Sequence, residues 1–151
     1  MEKVGVLVVS YGAREAAIVD ALTRSKNYEV DLYIADKQRN PFNAERAAQH
    51  VVIPDLDVEQ ICIFAEKNKD KIDFAIVGPE KPIIAGIRDL VEQRLRVPVI
   101  CPTKECAIEA SKVQQRLLFQ EIVPEVNPRF KIFNPEASIE LFYLCNTNFK
   151  S

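Results

Sequence analysis

The chain has 151 residues, 48% hydrophobic and 28% charged, enough for one packed core and too few for two full-sized domains. Twenty basic residues against 22 acidic ones give a formal net charge of −2 with no Lys/Arg block, which excludes a nucleic-acid footprint. There is no signal-peptide pattern or membrane-spanning run, and four cysteines without C-x-x-C spacing beside one histidine make no zinc or redox motif, so a cytoplasmic chain with reduced thiols is expected.

Short Val/Ile-rich runs alternate with longer amphipathic segments, the pattern of parallel strands joined by crossover helices, and the predicted class is α/β. Residues 4–9 read as a central strand. Residues 13–24 read as a helix whose Ala17, Ile18, Ala21 and Leu22 form a buried stripe. A second strand is expected over 28–35, a short helical piece over 44–49 and a short strand over 50–53, stopped by Pro54 and Asp55. Asp57 stands three residues before Gln60, a capping-box spacing, and predicts a helix ending near Asn68.

The apolar run 72–77 predicts the most buried strand, inside the sheet. Pro82 fits the first turn of the next helix, where its missing N–H has no partner, and Ile83, Ile87, Leu90 and Val91 then share one face. A last strand is expected over 97–101, after which Thr103 caps a helix over 104–119. The division expected is a Rossmann-like unit at 1–101 and a remainder at 102–151, in which three prolines surround one strand-like run at 129–133. No second core is assigned to the tail, 138–151.

In a parallel open sheet, ligands gather beyond the carboxyl ends of the strands, where helix N-termini face outward. Three loops qualify. In Ser10 to Glu15, Gly12 permits a tight turn, backbone N–H groups can face an anion and Arg14 adds charge; a plain strand-to-helix turn is the alternative. A helix terminus contributes about 0.3–1 kcal/mol to a nearby anion, against about 8 kcal/mol for micromolar binding, so the turn alone is not a site. In G-P-E-K-P, Gly78 to Pro82, a carboxylate between two prolines is preorganised, which makes Glu80 the leading single candidate; its other reading is a solvated turn residue that favours the next helix. The third loop carries Lys104, with Ser111 and Lys112 further along the expected helix. Eight residues place the two lysines about 80° apart around a helix, a possible shared face. Arg39 to Pro41 reads better as a turn, His50 has no evident Cys or Asp partner, and Cys62 and Cys101 read as core.

Several of these motifs occur together in one family. V-L-V-V-S-Y-G-A-R-E-A-A, R-N-P, V-G-P-E-x-P and P-T-K followed by S-K give the chain a resemblance to phosphoribosylamine–glycine ligases, most like archaeal members, over residues 3–134. Ser10 replaces a usual glycine and Ala16 a usual histidine. The resemblance implies a Rossmann-like pre-ATP-grasp domain followed by the beginning of an ATP-grasp domain, with phosphoribosylamine, glycine, ATP and Mg²⁺ as substrates and cofactors. It implies that Gly12, Ala13, Arg14, Glu80 and Pro82 hold the sugar-phosphate substrate, that Lys104 and Lys112 approach ATP, and that no metal ligand lies in this chain. It also implies that most of the nucleotide site falls beyond Phe133, so that the isolated chain is truncated and does not turn over ATP.

Two functional classes follow: part of a ligase completed by other domains or in a homodimer, or a non-catalytic sugar-phosphate-binding or interaction module. The apolar residues Ile139, Leu141, Phe142, Tyr143 and Leu144 suit a lost partner domain or a dimer contact. A biotin carboxylase-like or formate-dependent ATP-grasp ligase is the more distant alternative.

Overall fold

The computed structural model describes residues 1–108 and 111–132. It divides into two units, Met1–Ala110 and Ser111–Ser151. The first holds five strands, β1 (Glu2–Ser10), β2 (Tyr28–Asp36), β3 (Gln49–Val52), β4 (Phe74–Val77) and β5 (Val99–Ile100), all parallel in the order β3-β2-β1-β4-β5. Five helices connect them: α1 (Ala13–Thr23), α2 (Pro41–Arg46), α3 (Val58–Glu66), α4 (Glu80–Ile84) and α5 (Ile87–Leu95). This is an α/β, Rossmann-like open sheet. The order reverses direction between β1 and β4, where their outgoing loops part and leave a crevice.

β1 is the middle strand and, from Val6 to Ser10, wholly buried. Its alternate side chains feed two cores. Leu7 and Val9 join Ile61, Ile87 and Val91 on the α3/α5 face, while Val6 and Val8 join Val19, Leu32 and Ile34 on the α1 face. Fully burying each large side chain contributes about 1.5–3 kcal/mol. β1, not β4, is therefore the most buried strand: α1 and α2 lie over β1, β2 and β3 and leave Phe74 and Ile76 half-buried.

Local signals set most boundaries. Asp57 accepts a hydrogen bond from the Gln60 amide at 3.0 Å and caps α3. Asn40 accepts from the Phe42 amide at 3.0 Å and Pro41 takes the first helical position, so the R-N-P segment is the start of α2. Two expectations about helix faces are corrected. The buried residues of α1 are Glu15 and Val19, with Leu22 half-buried below them, while Ala17 and Ala21 are exposed; the helix is rotated because a carboxylate, not a methyl group, enters the sheet crevice. The helix expected to run from Pro82 through Val91 is two helices. Gly86, at φ 89°, takes a left-handed conformation that glycine adopts without a Cβ penalty, and re-aims the chain between α4 and α5.

The helix expected over 104–119 is also corrected. Residues 102–108 form turns, with the Cys106 amide donating to the Thr103 carbonyl and the Lys104 amide donating to the Asp89 carboxylate. In the second unit, α6 (Lys112–Ile122) starts where the Ser111 hydroxyl accepts from the Gln114 amide at 3.2 Å. Lys104 and Lys112 do not share a helix. Residues 129–132 form no strand, and 133–151, including Cys145 and the apolar group at 139–144, lie outside the described residues. Among the described residues no helix is long and apolar enough to cross a membrane.

Candidate functional site

The crevice between β1 and β4 is spanned by Arg14. Its Nη2 donates to the carbonyl oxygen of Gly78 at 3.1 Å and to Glu80 Oε1 at 3.4 Å, while its Nε donates to Glu15 Oε1 at 3.1 Å. The loop after β1 is thereby tied to the loop after β4. The guanidinium is held above its ordinary range, first by the hydrogen bond and charge of Glu15 and then by those of Glu80. It is a fixed cation at the mouth of the crevice, with Nη1 outside these contacts.

Glu15 organises the floor. Its side chain is buried, and Oε2 accepts from the amides of Tyr11 at 3.2 Å and Gly12 at 3.0 Å, the side-chain half of a capping box. Those two amides are therefore spent inward. The amides of Ala13, Arg14 and Glu15 lie in the first helical turn, where the helix itself supplies no acceptor. Gly78 passes so close that a Cβ there would overlap the Glu15 carboxylate, which explains a glycine at the end of β4.

Gly12 has a different role from the one expected. Its φ of −162° is extended backbone that any residue adopts, so the turn does not require glycine. The space beside its Cα is open: apart from its chain neighbours, no heavy atom stands within 4 Å of where a Cβ would be.

Gly12, Ala13, Arg14 and Glu80 thus converge on one crevice. Glu80 opens α4 and is exposed, whereas Pro82 is buried within that helix and supports it. Beside Glu80, residues 102–108 close a cavity of about 250 Å³ lined by Ile83, Ile84, Pro102, Cys106 and Ile108. Lys104 stands at the α4–α5 junction, against Gly86 and Asp89. Lys112 opens α6 in the second unit.

Sequence reading passed over Glu15, because a glutamate in the first turn of a helix is normally a solvated one. The close glycine at 78 and the Glu15 position three residues after Gly12 were the available signals. It also missed a polar group at the carboxyl ends of β1 and β2, reached from β3 by His50. His50 does have an acidic partner: its Nε2 lies 2.7 Å from Asp36 Oδ2. Asp36 pairs with Ser10 across β1 and β2, and Asn43 of α2 reaches both. Cys62 and Cys101 are corelike as expected, and burial pushes both thiols up.

The family profile described as phosphoribosylglycinamide synthetase, N domain, matches residues 4–109. The phosphoribosylamine–glycine ligase of Pyrococcus furiosus is 36% identical over 132 residues, covering 87% of this chain and 29% of the relative. That of Methanocaldococcus jannaschii is 36% identical over 129 residues, covering 85% and 28%. The chain therefore spans less than a third of the length of these relatives. Among solved structures, glycinamide-RNase-transformylase T from Mycobacterium tuberculosis superposes with a TM-score of 0.53 at 19% identity, covering 78% of this chain and 35% of that one, a likeness of fold. The match ends at residue 109, beside the end of the first unit at Ala110, and on it the chain belongs to the phosphoribosylglycinamide synthetase N-domain family.

Proposed function

We propose that the first unit is the sugar-phosphate-holding part of a phosphoribosylamine–glycine ligase. The observation that carries this reading is the Arg14 bridge to Gly78 and Glu80 across the switch point, beside an open Gly12 and a helix N-terminus. The phosphate sits against the amides of residues 13–15 with Arg14 Nη1 as countercharge. Glu80, facing the same crevice, accepts hydrogen bonds from ribose hydroxyls or the amine. Charge-assisted hydrogen bonds of this kind contribute about 1.5–3 kcal/mol each. Two or three of them with the helix terminus reach the range of micromolar binding.

Ligases so named join glycine to phosphoribosylamine with ATP and Mg²⁺. Among the described residues no group of three or more His, Cys, Asp and Glu gathers to hold a metal ion, and Lys104 is turned to the α4–α5 junction. We infer that the second unit begins the nucleotide-binding part and that catalysis takes further ligase domains. A non-catalytic sugar-phosphate-binding module is the second reading; it keeps the same crevice.

The test is titration with ribose 5-phosphate, followed by backbone amide shifts. Saturable changes confined to residues 12–15 and 78–80 support the reading. Equal changes with ribose alone, or none near Gly12, contradict it.

A further inference from the structure

The buried polar group behind the crevice is not part of its lining. Asn43 is fully buried, and its Nδ2 donates to Ser10 Oγ at 3.1 Å and to the Asp36 carboxylate at 3.1 and 3.3 Å. Ser10 and Asp36 are themselves buried, and are the last residues of β1 and β2. The Oδ2 oxygen of Asp36, which accepts from Asn43 at 3.3 Å, also lies 2.7 Å from His50 Nε2 of β3. One amide group therefore joins α2 to the ends of two strands. Ser10 immediately precedes the Tyr11–Gly12 amides that Glu15 holds, and the same helix begins at Asn40 and Pro41.

Burying three polar side chains in this way costs free energy unless each is hydrogen-bonded, the buried Asn43 Oδ1 has no hydrogen-bond partner among the described residues, and an apolar packing of similar volume would serve stability as well. The hydroxyl at Ser10 does not touch His50, and it is shut away from the crevice, so the group is not a nucleophile with its base. What it does fix is the direction in which the chain leaves β1. We infer that Asn43 is a positioning residue for the anion-facing turn at Gly12, acting through Ser10, with Asp36 and His50 setting the orientation of its amide. This assignment rests on the reading of that turn as part of the sugar-phosphate site.

The test compares amide hydrogen exchange and ribose 5-phosphate affinity in wild type, Asn43→Asp, the reciprocal swap Asp36→Asn with Asn43→Asp, and Ser10→Ala. Asn43→Asp removes the amide donor and sets a second carboxyl group against Asp36, and the swap restores the amide–carboxylate pair in reversed order. The expected result is exchange at Tyr11 and Gly12 faster by about tenfold in Asn43→Asp, with α3 and α5 unchanged, and return to within about threefold of wild type in the swap. Ligand affinity follows the same pattern. Should Asn43→Asp not fold, Ser10→Ala, which removes only the acceptor on the turn side, still decides: selective acceleration at Tyr11 and Gly12 supports the inference.

Unchanged turn exchange in folded Ser10→Ala overturns it. A swap that regains thermal stability while the turn stays fast does the same, as does uniform acceleration throughout the sheet. If wild type shows no affinity for ribose 5-phosphate, the sugar-phosphate reading falls, and the exchange pattern alone still decides the positioning role.

Discussion

Arg14 and Glu80 are 66 residues apart in sequence and share a 3.4 Å ion pair, with the Gly78 carbonyl 3.1 Å from the same nitrogen. Both side chains are more than half exposed, so the pair itself adds little to stability. Its consequence is geometric: the cation and the carboxylate proposed to face a ligand stand together across the crevice before any ligand arrives.

Arg14→Lys should therefore separate charge from shape. A lysine keeps the positive charge but has no planar fork to reach Glu15, Gly78 and Glu80 together. The expectation is a loss of about tenfold in ribose 5-phosphate affinity with a thermal midpoint shifted by no more than a few degrees. Calorimetry with a thermal melt checks both, and wild-type affinity in the lysine variant would show the fork to be irrelevant.

Gly12→Ala gives the opposite separation from a core change. The backbone there suits any residue and the added methyl meets nothing, so stability should change by less than about 1 kcal/mol. On the proposed site the methyl stands in the way of a phosphate at this turn, and phosphate affinity should fall at least about fivefold. A denaturant melt with a phosphate titration tests the pair of outcomes; unaltered affinity would place the anion elsewhere.

Gly78→Ala should act on both. The new Cβ overlaps the buried Glu15 carboxylate, which must move and release the Tyr11 and Gly12 amides. The expected cost is about 1–3 kcal/mol, the range for an overpacked or unsatisfied buried group. Equilibrium unfolding measures it. A neutral result would mean that Glu15 is not confined as described.

The cysteines differ in reactivity. Desolvation pushes Cys62 and Cys101 up from 9.0, with Glu66 adding to the shift at Cys62, whereas Cys106 is exposed. A raised folded value means a stabilising contribution that is fully present below the unfolded pKa and lost as pH rises through the folded one. Cys62→Val should flatten the alkaline end of the stability curve above about pH 9. At pH 8, iodoacetamide should label Cys106 ahead of Cys62 and Cys101, read by peptide mass spectrometry; equal labelling of Cys62 would contradict its burial.

Much of the fold was legible because periodicity reports burial. The run over 4–9 marked a central strand, and Asp57 with Gln60 marked a helix start, since each depends on local chemistry. The direction of α1 was not legible: a hydrophobic-stripe argument cannot place Glu15 inside, because its burial depends on amides four and three residues earlier and on a glycine 63 residues later. The break at Gly86 needed a φ value, and the false helix at 104 reflected a backbone amide claimed by Asp89, 15 residues away. His50 looked alone for the same reason. Asp36 meets it only because β2 and β3 pair in register, a relation that sequence spacing does not carry.

The most direct test of the central claim is a double-mutant cycle on ribose 5-phosphate affinity with Arg14→Ala, Glu80→Gln and both together, measured by calorimetry. If the two side chains serve one ligand across the switch point, each single change weakens binding by about tenfold or more, and the double change departs from additivity by at least 0.5 kcal/mol. Wild-type affinity in either single variant, or strict additivity of two small losses, would contradict a shared sugar-phosphate site.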